Sequence, residues 1–165
     1  RGDGVEIYSD GPRIKDETFW SVSFEVNVPL LSNLNLDTNF GGILIDEVEG
    51  DLDFYAGFGT IDLERVSGRV VGETKFGSIN VSLYGDTWRG DRLDVSTQFG
   101  SIKAYIPRDY NADLDTGTSF DSLSVDFPVR IRGGFVGKDV RTSLGDGGAL
   151  IRLRTQFGGE DIREK

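Results

Sequence analysis

The residues able to do chemistry in this chain are carboxylates and aromatics. Its 165 residues include no His, Cys or Met. Imidazole bases, thiol nucleophiles, disulfides and Cys/His metal sites are therefore excluded at the outset. What is left is 28 Asp and Glu against 18 Lys and Arg, a formal charge of −10. That surplus disfavours nucleic acid or an anionic membrane as the main partner.

The carboxylates fall into two groups. Asp37, Asp53, Glu73, Asp94 and Asp115 recur at matched places of a repeat, while Asp46, Glu47, Glu49, Asp51 and Asp53 crowd one short stretch. Three chemistries fit them. A solvated acidic face keeps a β stack soluble and discourages lateral pairing. Carboxylate pairs on neighbouring strands also suit a hard cation such as Ca²⁺, with Asp51, Asp53, Asp94 and Asp115 as candidate ligands. No EF-hand loop or calcium-binding nonapeptide accompanies them. Finally, Asp94 and Asp115 on adjacent coils would approach the roughly 5 Å separation of a retaining glycosidase pair.

The aromatic candidates are Tyr84 and Trp88, within Tyr84-Gly-Asp-Thr-Trp-Arg-Gly-Asp91, and Tyr55 at an outward repeat position. Exposed rings on a loop stack on sugars or on a partner protein, whereas rings that fold back cover a core edge. Arg-Gly-Asp occurs at residues 1–3 and 89–91, but Gly-Asp is this chain's turn dipeptide, found again at 50–51, 85–86 and 145–146. Gly57-x-Gly59 and Gly145-x-Gly147 lack a following helix and carry no dinucleotide or P-loop meaning.

These groups are positioned by an internal repeat. Thr38-Asn-Phe-Gly-Gly-Ile, Ala56-Gly-Phe-Gly-Thr-Ile, Thr74-Lys-Phe-Gly-Ser-Ile, Thr97-Gln-Phe-Gly-Ser-Ile, Thr118-Ser-Phe-Asp-Ser-Leu and Thr155-Gln-Phe-Gly-Gly-Glu align on Phe40, Phe58, Phe76, Phe99, Phe120 and Phe157. The spacings are 18, 18, 23, 21 and 37 residues. Leu34, Leu52, Val70, Leu93, Leu114 and Ile151 stand six before each Phe. Ile43, Ile61, Ile79, Ile102 and Leu123 stand three after it, with Glu160 the exception. Apolar positions alternate by two, change phase at Phe-Gly, and alternate again, which reads as two short strands joined by a glycine corner.

One such unit cannot bury its own apolar side, whereas stacked units bury a continuous column. The expectation is an all-β, single-domain, β-helix-like solenoid of stacked ~18–23-residue coils. Ladders of Phe (40, 58, 76, 99, 120, 157), Thr (38, 74, 97, 118, 155) and aliphatic residues should fill its inside. Residues 1–33 are expected to form an N-terminal cap, with Trp20–Val28 alternating as a half-buried strand that leads into the stack. Residues 34–127 supply the regular coils, and 128–165 an irregular coil, a turn at Gly145–Gly148 and a closing coil that caps the end. Stacked in sequence order, Asp37, Asp53, Glu73, Asp94 and Asp115 would make a ladder of like charges about 4.8 Å apart.

Charge is uneven along the chain. Residues 1–126 carry 10 basic and 23 acidic side chains, net −13, and residues 127–165 carry 8 and 5, net +3. Opposite ends favour weak head-to-tail self-association. The simpler account is local pairing, with Arg152 and Arg154 offsetting Asp115.

The Thr-x-Phe-Gly-Ser-Ile units, Asn111-Ala-Asp-Leu-Asp-Thr-Gly-Thr-Ser-Phe and Gly147-Gly-Ala-Leu-Ile-Arg-Leu-Arg-Thr-Gln-Phe-Gly-Gly resemble the bacterial adhesin-like family of β-strand-repeat proteins, a domain of unknown function. The resemblance spans roughly residues 20–162. It implies a right-handed stack, exported to the periplasm or cell surface, with no catalytic motif to carry over. The expected role is a non-enzymatic envelope scaffold or adhesin-like module binding a protein or glycan; the alternative is a carbohydrate-active enzyme. The chain begins at Arg1, and any membrane attachment is expected to come from a segment ahead of it.

Overall fold

The computed structural model describes residues 4–9, 21–126 and 139–165. Each repeat places one long and one short strand on either side of its corner. The pairs are β1 (Leu34–Phe40) with β2 (Ile43–Asp46), β3 (Glu49–Phe58) with β4 (Ile61–Glu64), and β5 (Ser67–Phe76) with β6 (Ile79–Ser82). They continue as β7 (Arg92–Phe99) with β8 (Ile102–Ile106) and β9 (Ala112–Thr118) with β10 (Leu123–Asp126). After β11 (Asp139–Leu144) come β12 (Leu150–Phe157) and β13 (Glu160–Glu164). The described residues contain no helix.

The long strands form one sheet in the order β1-β3-β5-β7-β12-β9-β11, and the short ones a second in the order β10-β13-β8-β6-β4-β2. All pairings are parallel except β11 with β9. The register is that of the repeat: Leu52 faces Leu34 and Val70, and Ile61 faces Ile43 and Ile79. Between the sheets lies one core, with Leu52, Val70, Leu93, Ile151, Ile61, Ile79, Ile102 and Ile162 almost wholly buried. Each contributes about 1.5–3 kcal/mol of apolar burial. Phe54 tucks its ring over Gly72, where an added Cβ would come within 2.0 Å of it.

Three expectations are corrected. First, the closing repeat does not cap the stack. β12–β13 slides between β7–β8 and β9–β10, so that Arg152 faces Asp94 on one side and Asp115 on the other. Direct pairing of β7 with β9 would set those two carboxylates side by side, and the inserted arginine alternates the charge instead. Second, residues 21–29 form no strand, and Val22, Phe24 and Val26 are exposed. Alternation gives a segment an apolar face but no hydrogen-bonding partner; it meets the stack at its end, where Val28 packs against the core and Leu31 bridges to Glu49. Trp20, at its start, lies outside the described residues, as do residues 127–138, which include most of the irregular coil.

Third, the Phe ladder is outside. All six rings are exposed, although they do stack. The cause is the corner. Glycines such as Gly100 (φ +157°) turn the chain where an added Cβ would meet the Gly77 carbonyl oxygen at 1.9 Å. The inside of the corner is taken by threonine: the Thr97 hydroxyl donates to the Gly77 carbonyl at 2.8 Å, and Thr118 and Thr155 both donate to that of Gly158. Thr74 donates likewise to Gly59, whereas Thr38 at the stack's edge turns to the Phe40 carbonyl. The expected turn at Gly145–Gly148 is present, closed by the Gly147 amide on the Leu144 carbonyl.

Candidate functional site

The outer face of the long sheet carries most of the chemistry named above. Reading across the strands, one row runs Asn35, Asp53, Val71, Asp94, Arg152, Asp115, and the next runs Asp37, Tyr55, Glu73, Ser96, Arg154, Gly117. No two carboxylates are direct neighbours in either row, so the expected ladder of like charges does not form. Insertion of Arg152 and Arg154 and the intervening Val71, Tyr55 and Ser96 break it.

Three of the carboxylates, Asp53, Asp94 and Asp115, are instead tied to arginines. Arg69 holds Asp53 through both oxygens at 2.9 and 3.1 Å. Arg152 reaches Asp94 at 3.4 Å and Asp115 at 3.3 Å, and Arg141 reaches Asp115 at 3.2 Å. Arg154 also donates to Asp115, the only buried member of the group. Burial alone would raise the Asp115 carboxyl, but the Arg154 and Arg141 guanidiniums outweigh it and hold the group below the usual carboxylate range. Local pairing by Arg152 and Arg154, expected from the sequence, is what the geometry shows.

This arrangement separates the proposed catalytic pair. Asp94 and Asp115 are not on adjacent strands; β12 lies between them, and one guanidinium touches both. The four candidate cation ligands are likewise distributed. Asp51 and Asp53 are on β3, Asp94 on β7 and Asp115 on β9. Among the described residues no three acidic side chains gather as a cation cage. Around Asp51 there is a shallow open cleft lined by Leu31, Asn33, Glu49, Gly68, Arg69 and Asp91. The 89–91 Arg-Gly-Asp borders it, with Arg89 4.0 Å from Glu49.

The aromatic candidates divide. Trp88 is buried, its indole N–H donating to the Gly68 carbonyl at 3.0 Å. It is therefore a core-edge residue, because a buried indole seeks one acceptor and the turn at Gly68 offers one. Tyr84 stays exposed at 69 %, and Tyr55 is half-buried on the outer sheet face between Asp37 and Glu73.

One titratable residue lay outside these readings. Glu160 stands in the column of Ile43, Ile61, Ile79, Ile102 and Leu123 and is buried there. Its Oε2 accepts the Thr116 hydroxyl, while its Oε1 has no hydrogen bond. Burial pushes its carboxyl above the usual glutamate range, against the pull of the Thr116 hydroxyl, the Arg154 guanidinium and the nearby Thr155 and Gly117 backbone amides. A lone Glu in an isoleucine column was the visible signal.

No family model matches this chain, and no curated protein and no solved structure matches it.

Proposed function

We propose that the chain is a non-enzymatic binding or scaffold module of a bacterial cell envelope, folded as a right-handed β-solenoid. Its outer sheet face and the Tyr84 loop engage a protein or glycan. The observation that carries this reading is the in-register parallel pairing of six repeats in both sheets. Such pairing fixes Asp37, Tyr55, Glu73 and Ser96 at strand spacing, so a partner meets groups already in place and little ordering cost opposes binding. The alternating chain path from long strand to corner to short strand supports the solenoid, and the resemblance of the repeats to the adhesin-like family supports the envelope location. The ion-paired state of Asp53, Asp94 and Asp115 supports binding rather than acid–base catalysis, since a catalytic carboxyl pair needs one protonated member.

The test is binding of the purified chain to intact bacteria and to isolated envelope polysaccharides. Tyr55→Ala and Tyr84→Ala are compared with the parent, and reducing ends are assayed alongside. Saturable binding weakened about tenfold by either substitution, a loss of about 1.4 kcal/mol, with an unchanged melt, is the expected result. Binding indifferent to both substitutions overturns the assignment of the face. Hydrolysis that disappears in Asp94→Asn overturns the non-enzymatic reading.

A further inference from the structure

The six phenylalanines form one uninterrupted ladder in the spatial order Phe40, Phe58, Phe76, Phe99, Phe157, Phe120. Consecutive ring centroids lie 4.7–5.0 Å apart and consecutive rings are within 5–8° of parallel. Five such steps make a ribbon about 24 Å long. Each inner ring is covered on both faces by its neighbours and shows its edge to solvent, whereas the end rings are covered on one face. The inner four are 37–47 % exposed, and Phe40 and Phe120 at the ends are 79 % and 65 % exposed. Together this is the surface of about three whole phenylalanines, roughly 600 Å² at the usual aromatic side-chain area. That sits at the upper limit of the largest apolar patch on an ordinary monomer.

The surroundings of the ladder are as unusual as the ladder. The residue before each Phe and the two after it read Asn39/Gly41/Gly42, Gly57/Gly59/Thr60, Lys75/Gly77/Ser78, Gln98/Gly100/Ser101, Gln156/Gly158/Gly159 and Ser119/Asp121/Ser122. With the rings this is a strip of 24 positions holding two charges, Lys75 and Asp121. At the chain's overall charged fraction of 28 % it would hold about seven. The Lys75 ammonium lies over its own Phe76 ring, 5.7 Å from the centroid.

We propose that this strip is a homodimer interface, in which the Phe ladders of two copies pack against each other. Three features select a second copy as the occupant. A rigid array with a 4.7–5.0 Å period is matched by a surface of the same period, and a two-fold-related copy supplies one. Copies that each carry −10 repel wherever carboxylates face each other, and this strip is almost free of them. The ladder with its glycine, serine and glutamine borders also approaches the ~800 Å² per partner of a standard interface. The rings lie at the corner, where the outer sheet face ends, and the inference does not depend on the binding role assigned to that face.

The experiment is sedimentation equilibrium of the full chain from low to high micromolar concentration, at low and at high salt. The parent is compared with Phe76→Ser/Phe99→Ser and with Gln156→Glu. The second variant leaves every ring in place and puts a charge on an exposed side chain, so it separates loss of the interface from loss of the fold. The expected result is a parent dimer that persists or tightens at high salt. Both variants should be at least tenfold weaker in dimerisation, with the Gln variant keeping the parent's melt. A parent that is monomeric throughout overturns the proposal. If that monomer enhances thioflavin T fluorescence in a Phe76/Phe99-dependent way, the ladder is a site for flat aromatic ligands instead. A dimer untouched by the Gln variant, or one that dissociates as salt rises, overturns it too and moves the contact to the ends of the stack.

Discussion

Replacing Glu160 by Gln should make this protein more stable at neutral pH and leave it unchanged in acid. The side chain occupies a column of isoleucines, is 2 % exposed, and has one carboxylate oxygen without a hydrogen bond. Leaving a buried polar group unpaired costs about 1–3 kcal/mol, more when it is charged. A glutamine at this position would keep an acceptor for the Thr116 hydroxyl and remove the charge, recovering about 1 kcal/mol, the low end of that range, because its NH2 is itself left without an acceptor. For a domain of this length each kcal/mol moves the midpoint by about 2–4 °C. The pH dependence identifies the cause. The folded-state carboxyl is raised above its ordinary value of 4.5. Between those two values the native state holds a proton that the unfolded chain has released, so stability falls as pH rises through that window. Below it wild-type Glu160 is itself neutral, and the advantage of Gln vanishes. Thermal melts of both proteins across the acid-to-neutral range are the assay. A Glu160→Gln protein less stable than wild type at neutral pH, or one whose advantage persists unchanged in acid, would refute the assignment of an uncompensated buried charge.

Asp115→Asn should destabilise by about 3 kcal/mol, the low end for a broken buried ion pair, because Arg141, Arg152 and Arg154 keep partial access to water. Since Asp115 is held below its ordinary range, its contribution is present above the unfolded value of 3.8 and is lost as pH falls through the folded one. Chemical denaturation should show wild type and Asp115→Asn converging in strong acid. Gly72→Ala should cost about 1–3 kcal/mol by overpacking against Phe54, and Phe54→Leu in the same chain should restore part of it, measured by urea midpoint. A melt in excess Ca²⁺ should coincide with one in chelator, since Asp53, Asp94 and Asp115 already have arginine partners; a site filled to a hundred times its dissociation constant would add about 2.7 kcal/mol.

The registers were legible in the sequence because burial is periodic. Leu52, Val70 and Leu93 share a column whether one reads the chain or the sheet. Spatial order was less legible. Every repeat can pair with every other at equal backbone cost, so nothing in the periodic positions says that Ile151 lies between Leu93 and Leu114. Only the outward residues did, because Arg152 belongs between Asp94 and Asp115, and the pairing of opposite charges was seen without the rearrangement it demands. The Phe column misled for a geometric reason. Counting by twos from Leu93 through Val95 and Thr97 puts Phe99 inside, but the glycine corner that follows rotates it out. Trp88 reads either way in the sequence, because the acceptor that buries its indole, the Gly68 carbonyl, lies 20 residues away in the chain.

Insertion of β12–β13 into the middle of the sheets has a consequence for how the protein is made. A stack whose spatial order follows the chain can be completed as it leaves the ribosome, each unit docking on the one before. Here β9 and β10 emerge with their docking partners still untranslated, and contacts such as Arg152 with Asp94 span 58 residues. β12 and β13 are the wedge that joins the two parts, followed by the amide of Lys165 on the Ile106 carbonyl. A chain cut short at residue 149 therefore loses an interior layer rather than an end, exposing two raw sheet edges together. Such a product is open to proteases and to pairing with other chains. The native stack is complete only once β12 and β13 have been made, so the fold itself reports that this late part of the chain is present.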